Sequence, residues 1–412
     1  MTTTVASSRT SRVEQRSLLR KVSTDYAFSH LGYFTIMPVL PILLAVQLSD
    51  YGNEWVGISL FVLAAAVRGG SLIITRLIHR SPVRRTVVLG LLAAAAGFGL
   101  SGQFHNPLVV VIALAVAGFG ISVNALAMRA YVAAATDDVA RRNSVYSAIQ
   151  IAVNVSAAVG PIVANLLLAA ERSLVFLLVA VCYVVAAALM ALMVPGDVRL
   201  DNNSKRPASL IKLLAALGSS SFRGIAITVT GGSLLYAQFF SAFALLINLA
   251  SDDTLVRAGC FTLNAVLVVS LQVPVSRWIG RRLSAGEAPL KWLLVGVVIF
   301  GLSFAVVGTG GTTVLSAYLA IAILSVAETI FTPLVSTAFV EAGRGRPPVE
   351  ILNLRQIAAT IGESTGALIG GSLFLIAAGA QYQALFWWSL VVVALLTVIG
   401  AIAATRTSGL PT

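Results

Sequence analysis

Seven side chains able to carry charge stand inside stretches that are otherwise apolar: Asp25, His30, Arg68, Arg129, Glu328, Arg355 and Glu363. An ion held at bilayer depth is costly unless it meets a partner or a wet cavity, so such residues point to ion pairing, proton transfer or ligand recognition. Arg68 and Glu363 fall near the middle of their apolar runs, and Glu328 lies just past the middle of its own. Asp25, Arg129 and Arg355 fall toward one end. A carboxylate among apolar groups, as at Glu328, can load a proton from one side of a barrier and release it on the other, or can bind a cation directly. Other chemistries lack their parts. No Gly-x-x-x-x-Gly-Lys-Ser/Thr loop and no His-Glu-x-x-His segment is present, and no Gly-x-Ser-x-Gly elbow is expected. Cys182 and Cys260 sit in apolar runs and exclude a disulfide framework or a Cys-based metal site. Neither enzymatic activity nor a metal or cofactor is expected.

The elements that must position these charges follow from composition. The chain has 412 residues, 58% hydrophobic and 11% charged, with a mean hydropathy of +0.93. A soluble domain carries charge on about a quarter of its residues, so this is a membrane protein. Apolar runs broken at charged or Pro/Gly-rich turns place spans at 25–48, 56–78, 84–103, 107–135, 143–170 and 173–194. Six more follow at 222–250, 255–279, 289–309, 312–341, 349–379 and 380–404. The expected organisation is a tail (1–24), a six-helix bundle (25–194), a polar linker (195–221), a second six-helix bundle (222–404) and a short tail (405–412). No cleavable signal peptide is expected ahead of span one, because the first apolar run follows a Ser/Thr/Arg tail, is too long for a signal segment and lacks a small-residue cleavage site.

The net charge of +12, from 28 Lys+Arg against 16 Asp+Glu, reflects topology rather than nucleic-acid binding. Arg and Lys cluster in the first tail, in the loops after spans two, four and eight, in the linker and at the last tail. The opposite loops carry Asp50 with Glu54, His105, Glu171 with Arg172, and Asp252 with Asp253 and Arg257. Both termini are therefore expected on the cytoplasmic side of the cytoplasmic (inner) membrane.

The two halves repeat weakly. Arg76-Leu-Ile-His-Arg80 after span two matches Arg277-Trp-Ile-Gly-Arg281 after span eight, and Gln150 with Gly160 matches Gln356 with Gly366 at one offset. Parallel repeats of this kind mark two-bundle secondary transporters. At these residues the chain resembles the major facilitator superfamily, and within it the twelve-helix drug:H+ antiporter branch. Asp25-Tyr-Ala-Phe-Ser-His-Leu-Gly-Tyr-Phe-Thr-Ile-Met-Pro38 is similar to the first helix of that branch's bacterial exporters. The loop from Thr75 to Gly90 stands where the family carries Gly-x-x-x-Asp-Arg-x-Gly-Arg-Arg/Lys; Arg80 and Arg84 match, whereas Thr75, His79 and Pro82 replace Gly, Asp and Gly. Val159-Gly-Pro-Ile-Val163 resembles the Gly-Pro core of the antiporter motif without its following Gly pair. Ala327-Glu-Thr-Ile-Phe-Thr-Pro333 is similar to an acidic-then-Pro pattern of these exporters.

The resemblance implies an all-α fold of two six-helix bundles related by pseudo-two-fold symmetry, with about 12 transmembrane helices. It also implies a monomer, a small-molecule substrate, a lipid bilayer and a proton gradient as energy source. Spans two and eleven then meet between the halves, so Arg68 and Glu363 are expected to pair there. Spans one, four, seven and ten then surround the cavity, where Asp25 and Arg129 share a depth and are expected to form a second pair. Glu328 is the expected proton-coupling or cation-recognising group. Gly160 and Pro161 bend and pack span five, and His79, Arg80 and Arg84 set the conformational loop. A histidine at 79 could take the place of the family's loop Asp only through a different partner or in a pH-dependent way; the alternative is a solvated loop histidine beside basic residues.

Residues at helical spacing are expected to line the cavity: Tyr26, His30, Tyr33 and Met37; Asn124, Met128 and Tyr131; Tyr236, Gln238, Phe239 and Phe243; and Thr332. Aromatic and Met surfaces with few polar anchors suit bulky amphipathic ligands. The expected activity is proton-coupled efflux of such compounds. A dedicated exporter of one metabolite (a siderophore or antibiotic), a proton symporter, and a transport-dead scaffold or receptor remain alternatives.

Overall fold

The computed structural model describes residues 2–78, 81–135, 139–196, 210–343, 346 and 348–406. Every regular element among them is helical. In order these are α1 (Thr2–Ile36), α2 (Leu40–Gln47), α3 (Glu54–Ile78), α4 (Val83–Ser101), α5 (Pro107–Ala134), α6 (Val139–Ala170), α7 (Arg172–Met193) and α8 (Leu210–Leu217). There follow α9 (Ser220–Tyr236), a 3-10 turn (Ala237–Phe240), α10 (Ala242–Ala250), α11 (Thr254–Ser284), α12 (Pro289–Gly310), α13 (Val314–Ala342), α14 (Pro348–Gly379) and α15 (Gln383–Arg406). Nine helices among the described residues are long and apolar enough to cross a membrane, ten if the bent α1/α2 pair counts as one. Helices α3 and α6 are about 38 and 48 Å long at the helical rise, longer than the apolar core of a bilayer.

Local sequence sets where helices start. Asn106 accepts from the amides of Leu108 and Val109 ahead of Pro107, Asp253 accepts from those of Leu255 and Val256, and Thr313 forms a capping box with Ser316. Four details go beyond the expected outline. Helix α1 begins at Thr2, so most of the expected tail is helical; the polar linker holds α8 and the first residues of α9. Span one is not continuous: α1 and α2 meet at 49°, because Pro38 has no amide to donate and disfavours helix at the residue before it. Span seven is likewise broken at the 3-10 turn. There Gln238 donates to the carbonyls of Leu234 and Gly366 at 3.0 Å each, and Ser241 donates to Ala237. Side chains thus serve carbonyls around the break.

Two hydrophobic cores lie side by side. One is built around Phe98, Tyr183, Val179 and Met190, the other around Phe243, Phe300, Phe304, Phe374 and Trp387. The outward face stays apolar: Val392, Leu395, Leu396 and Ile399 of α15 are 51–62% exposed, as lipid contact requires. Packing joins the two halves along α3 with α14, α6 with α11 and α2 with α10. Near the α2 end, Ile42 belongs to the C-terminal core and Ala367 to the N-terminal one.

Candidate functional site

The seam of α3 and α14 carries polar contacts at three levels. Ser372 Oγ donates to the carbonyl of Glu54 at 3.2 Å, Arg68 Nε donates to Glu363 Oε2 at 2.6 Å, and Gln356 Nε2 donates to the carbonyl of Arg68 at 2.7 Å. The helices approach closely enough that a Cβ on Gly57 would stand 2.4 Å from the carbonyl oxygen of Leu368. Arg68 and Glu363 meet across the two halves, with side chains 41% and 17% exposed.

Both residues face internal space. A cavity of about 260 Å³ is lined by Tyr26, His30 and Tyr33 of α1, Asn124 and Arg129 of α5, and Arg68 and Gln356 from the seam. A second, of about 150 Å³, shares Tyr33 and Arg68 and adds Met37, Tyr236, Phe240 and Glu363. The α1 wall is an aromatic ladder: Tyr26 stacks on His30 at 4.8 Å, and Tyr33 meets Phe34 edge-on at 5.4 Å. Helix α6 can press on α1 there because residue 160 is glycine; a Cβ would stand 2.6 Å from the backbone carbon of Phe34. Gly366, its counterpart in the repeat, lies against α9 in the same manner: a Cβ there would stand 2.3 Å from the Leu234 oxygen. Pro161 lies within α6, its carbonyl bonded by Asn165 Nδ2 at 2.9 Å.

Glu328 lies behind Tyr236. The Tyr236 hydroxyl donates to Oε1 at 3.0 Å, and Asn264 Nδ2 donates to Oε2 at 2.9 Å. Glu328 lines neither cavity. Tyr236, however, borders the cavity that holds Glu363, so one hydroxyl stands between that cavity and Glu328. Asn264 was not singled out from sequence, although an amide in an apolar helix is itself a signal. Phe34, Phe240 and Gln356 line the cavities without having been named as lining residues.

The other expected pair is not formed. Asp25 is fully buried, and both of its oxygens accept from Asn124 Nδ2 at 3.2 Å. Arg129 is exposed and makes no ion pair with Asp25. Shared depth places two residues at one level but does not set the rotation of their helices.

Five expected lining residues are packed elsewhere. Met128 and Tyr131 belong to the N-terminal core, and Phe239 and Phe243 to the C-terminal core against Phe261 and Trp387. Gln238, with no exposed surface, ties α9 to α14. Thr332 is exposed and outside both cavities. Helical periodicity marks a buried stripe, and packing produces the same stripe as lining.

Of the loop residues, His79 and Arg80 lie outside the described residues, as does the side chain of Gln150. Arg84 reaches the segment after α7, where a Cβ on Gly196 would stand 3.1 Å from its Cζ. A Gly-x-Ser-x-Gly spacing does occur, at Gly362-Glu-Ser-Thr-Gly366, but inside helix α14. Ser364 is 2% exposed, so it lacks both the strand-to-helix turn and the accessible hydroxyl of a nucleophile elbow. Among the described residues no group of three or more His, Cys, Asp or Glu could hold a metal.

A sequence model described as Major Facilitator Superfamily matches residues 26–347. The Multidrug resistance protein MdtH of Yersinia enterocolitica is 22% identical over 370 residues, covering 90% of each chain, and that of Yersinia pestis matches to the same extent. Among solved structures, a POT family transporter in complex with a thioalcohol-conjugated peptide superposes with a TM-score of 0.75 at 14% identity, covering 94% of this chain and 96% of that one. A mutant of the nucleoside transporter NupG superposes with a TM-score of 0.76 at 12% identity, covering 94% and 99%. At these identities the structures speak for the fold alone.

Proposed function

This chain belongs to the Major Facilitator Superfamily, and we propose that within it the protein is a proton-coupled exporter of small amphipathic compounds, working by alternating access as a monomer. It is a multi-pass membrane transporter by family and by its spans. Efflux across the cytoplasmic membrane, with both termini inside, draws support from the Lys and Arg distribution and from the likeness to MdtH.

The observation that carries the proposal is the position of Tyr236. Tyr236 borders the cavity with Arg68 and Glu363, and its hydroxyl donates to Glu328 at 3.0 Å. A proton entering the cavity therefore meets the carboxylate of the inter-half pair and, one hydroxyl behind it, a second carboxylate. In the proposed cycle a proton transferred to Glu363 removes the negative partner of Arg68, and the halves part along α3 and α14. Release of that proton on the other side restores the pair. Soft walls at Tyr26, Tyr33, Phe34 and Met37 accommodate apolar bodies of different shape.

The test is accumulation of fluorescent cationic, neutral and anionic amphiphiles in cells with and without the protein. Expression should lower accumulation of at least one, and a protonophore should restore it. Accumulation that rises on expression would reverse the direction, and insensitivity to the protonophore would remove the coupling.

A further inference from the structure

Every carboxylate near the cavity already has its donors. Glu363 is held by Arg68, Asp25 by Asn124, and Glu328 by Tyr236 and Asn264. Two arginines are not matched in this way. Arg129 lines the larger cavity; Arg355 lines neither cavity and adjoins it only as the chain neighbour of Gln356, a lining residue. Among the described residues neither forms an ion pair with a carboxylate. The Nε of Arg355 is buried with no hydrogen-bond partner. The larger cavity is lined by Arg68 and Arg129 and by no carboxylate, so the fixed charge on its wall is positive.

Such an arrangement is unfavourable when empty: like charges repel, and a buried guanidinium donor without an acceptor forgoes its hydration. A cation entering the cavity adds to the repulsion. An anion relieves it, because carboxylate, sulfonate and phosphonate groups accept the forked N–H donors of arginine. We propose that the cavity selects amphipathic anions, with the charged group taken by Arg129 and Arg355 and the apolar body laid on the ladder of Tyr26, His30 and Tyr33. This rests on reading the cavity as the substrate site, and it replaces cation recognition by Glu328, which is screened from the cavity by Tyr236.

The test uses a matched pair of probes, naphthalene-2-sulfonate and 2-naphthylmethylammonium, in equilibrium dialysis against the purified protein in a non-ionic detergent. The sulfonate should bind at least about tenfold more tightly than the ammonium. Arg129→Gln and Arg355→Gln should each weaken sulfonate binding about tenfold or more, the corresponding Lys variants should recover part of it, and Arg282→Gln at an exposed turn should bind as wild type. Monodispersity in gel filtration checks each fold; if Arg355→Gln is lost at that step, the exposed Arg129 carries the test. Ammonium binding as tight as sulfonate binding, or sulfonate binding unchanged in Arg129→Gln, overturns the proposal. Proteoliposomes with an imposed pH gradient separate the two readings. Gradient-driven movement of the ammonium without sulfonate binding sinks the anion site and keeps the exporter. Arginine-dependent sulfonate binding without any gradient-driven movement keeps the anion site and sinks the coupled exporter.

Discussion

Gln356 donates its side-chain amide to the backbone carbonyl of Arg68 at 2.7 Å, so Arg68 is held twice by α14: by its main chain there and by its guanidinium at Glu363. The carbonyl involved belongs to a helix whose own ladder already uses it, and the amide occupies the remaining lone pair. The seam is therefore aligned in register before any charge is considered.

Removing either charge should disable transport. Arg68→Ala and Glu363→Ala are each expected to lower gradient-driven efflux at least about tenfold, with partial recovery in the charge swap. Stability should fall by only about 1–2 kcal/mol, less than for a fully buried pair, because the Arg68 side chain is 41% exposed. Wild-type efflux in both single variants would dismiss the gate.

Glu328→Gln should separate coupling from binding. The amide keeps an acceptor for Tyr236 but cannot ionise, so gradient-driven movement is expected to stop while substrate binding measured on the purified protein persists. Asn264→Ala leaves the carboxylate with one donor fewer and should lower thermal stability by about 1–3 kcal/mol. Proton-driven efflux at the wild-type rate in Glu328→Gln would assign this carboxylate a structural part only.

Asp25 and Arg129 should behave independently. Asp25→Ala strands the buried Asn124 amide and is expected to cost about 1–3 kcal/mol, whereas Arg129→Ala should change stability by at most about 0.5 kcal/mol. A double-mutant cycle between them should give a coupling within about 0.5 kcal/mol of zero. A coupling well above that, read from thermal melts, would restore the pair expected from depth.

Gly160→Ala should damage the fold where Gly280→Ala does not. A Cβ at 160 would meet the Phe34 backbone at 2.6 Å, while one at 280 meets nothing within 4 Å. The first is expected to cost about 1–3 kcal/mol through overpacking, the second to gain about 0.5–1 kcal/mol through helix propensity. Equal melting temperatures for the two variants would contradict this contact.

Depth and charge were readable from the sequence because both follow from chain position alone. The apolar runs around Arg68 and Glu363 placed each near the middle of its span, and the resemblance placed their helices side by side; the 2.6 Å contact also needed the two helices to turn these faces toward each other. Asp25 exposes the limit. Its depth matched that of Arg129, yet a helix turns 100° per residue, and rotation placed Asn124 at the carboxylate instead. Phe239 and Phe243 show the same limit for the cavity, since the stripe that faces a neighbouring helix and the stripe that faces a ligand share one spacing. The break at 237–241 had no Pro or Gly to announce it, and its anchor, Gln238, reads in isolation as a polar group meant for a ligand.

The Arg68–Glu363 pair has one further property. Each unit charge moved across the membrane field exchanges about 2.3 kcal/mol per 100 mV, but a bonded cation and anion carry no net charge. In the proposed cycle the membrane potential would therefore act on this step through the proton that breaks the pair and through the charge of whatever the cavity holds, not through the paired side chains.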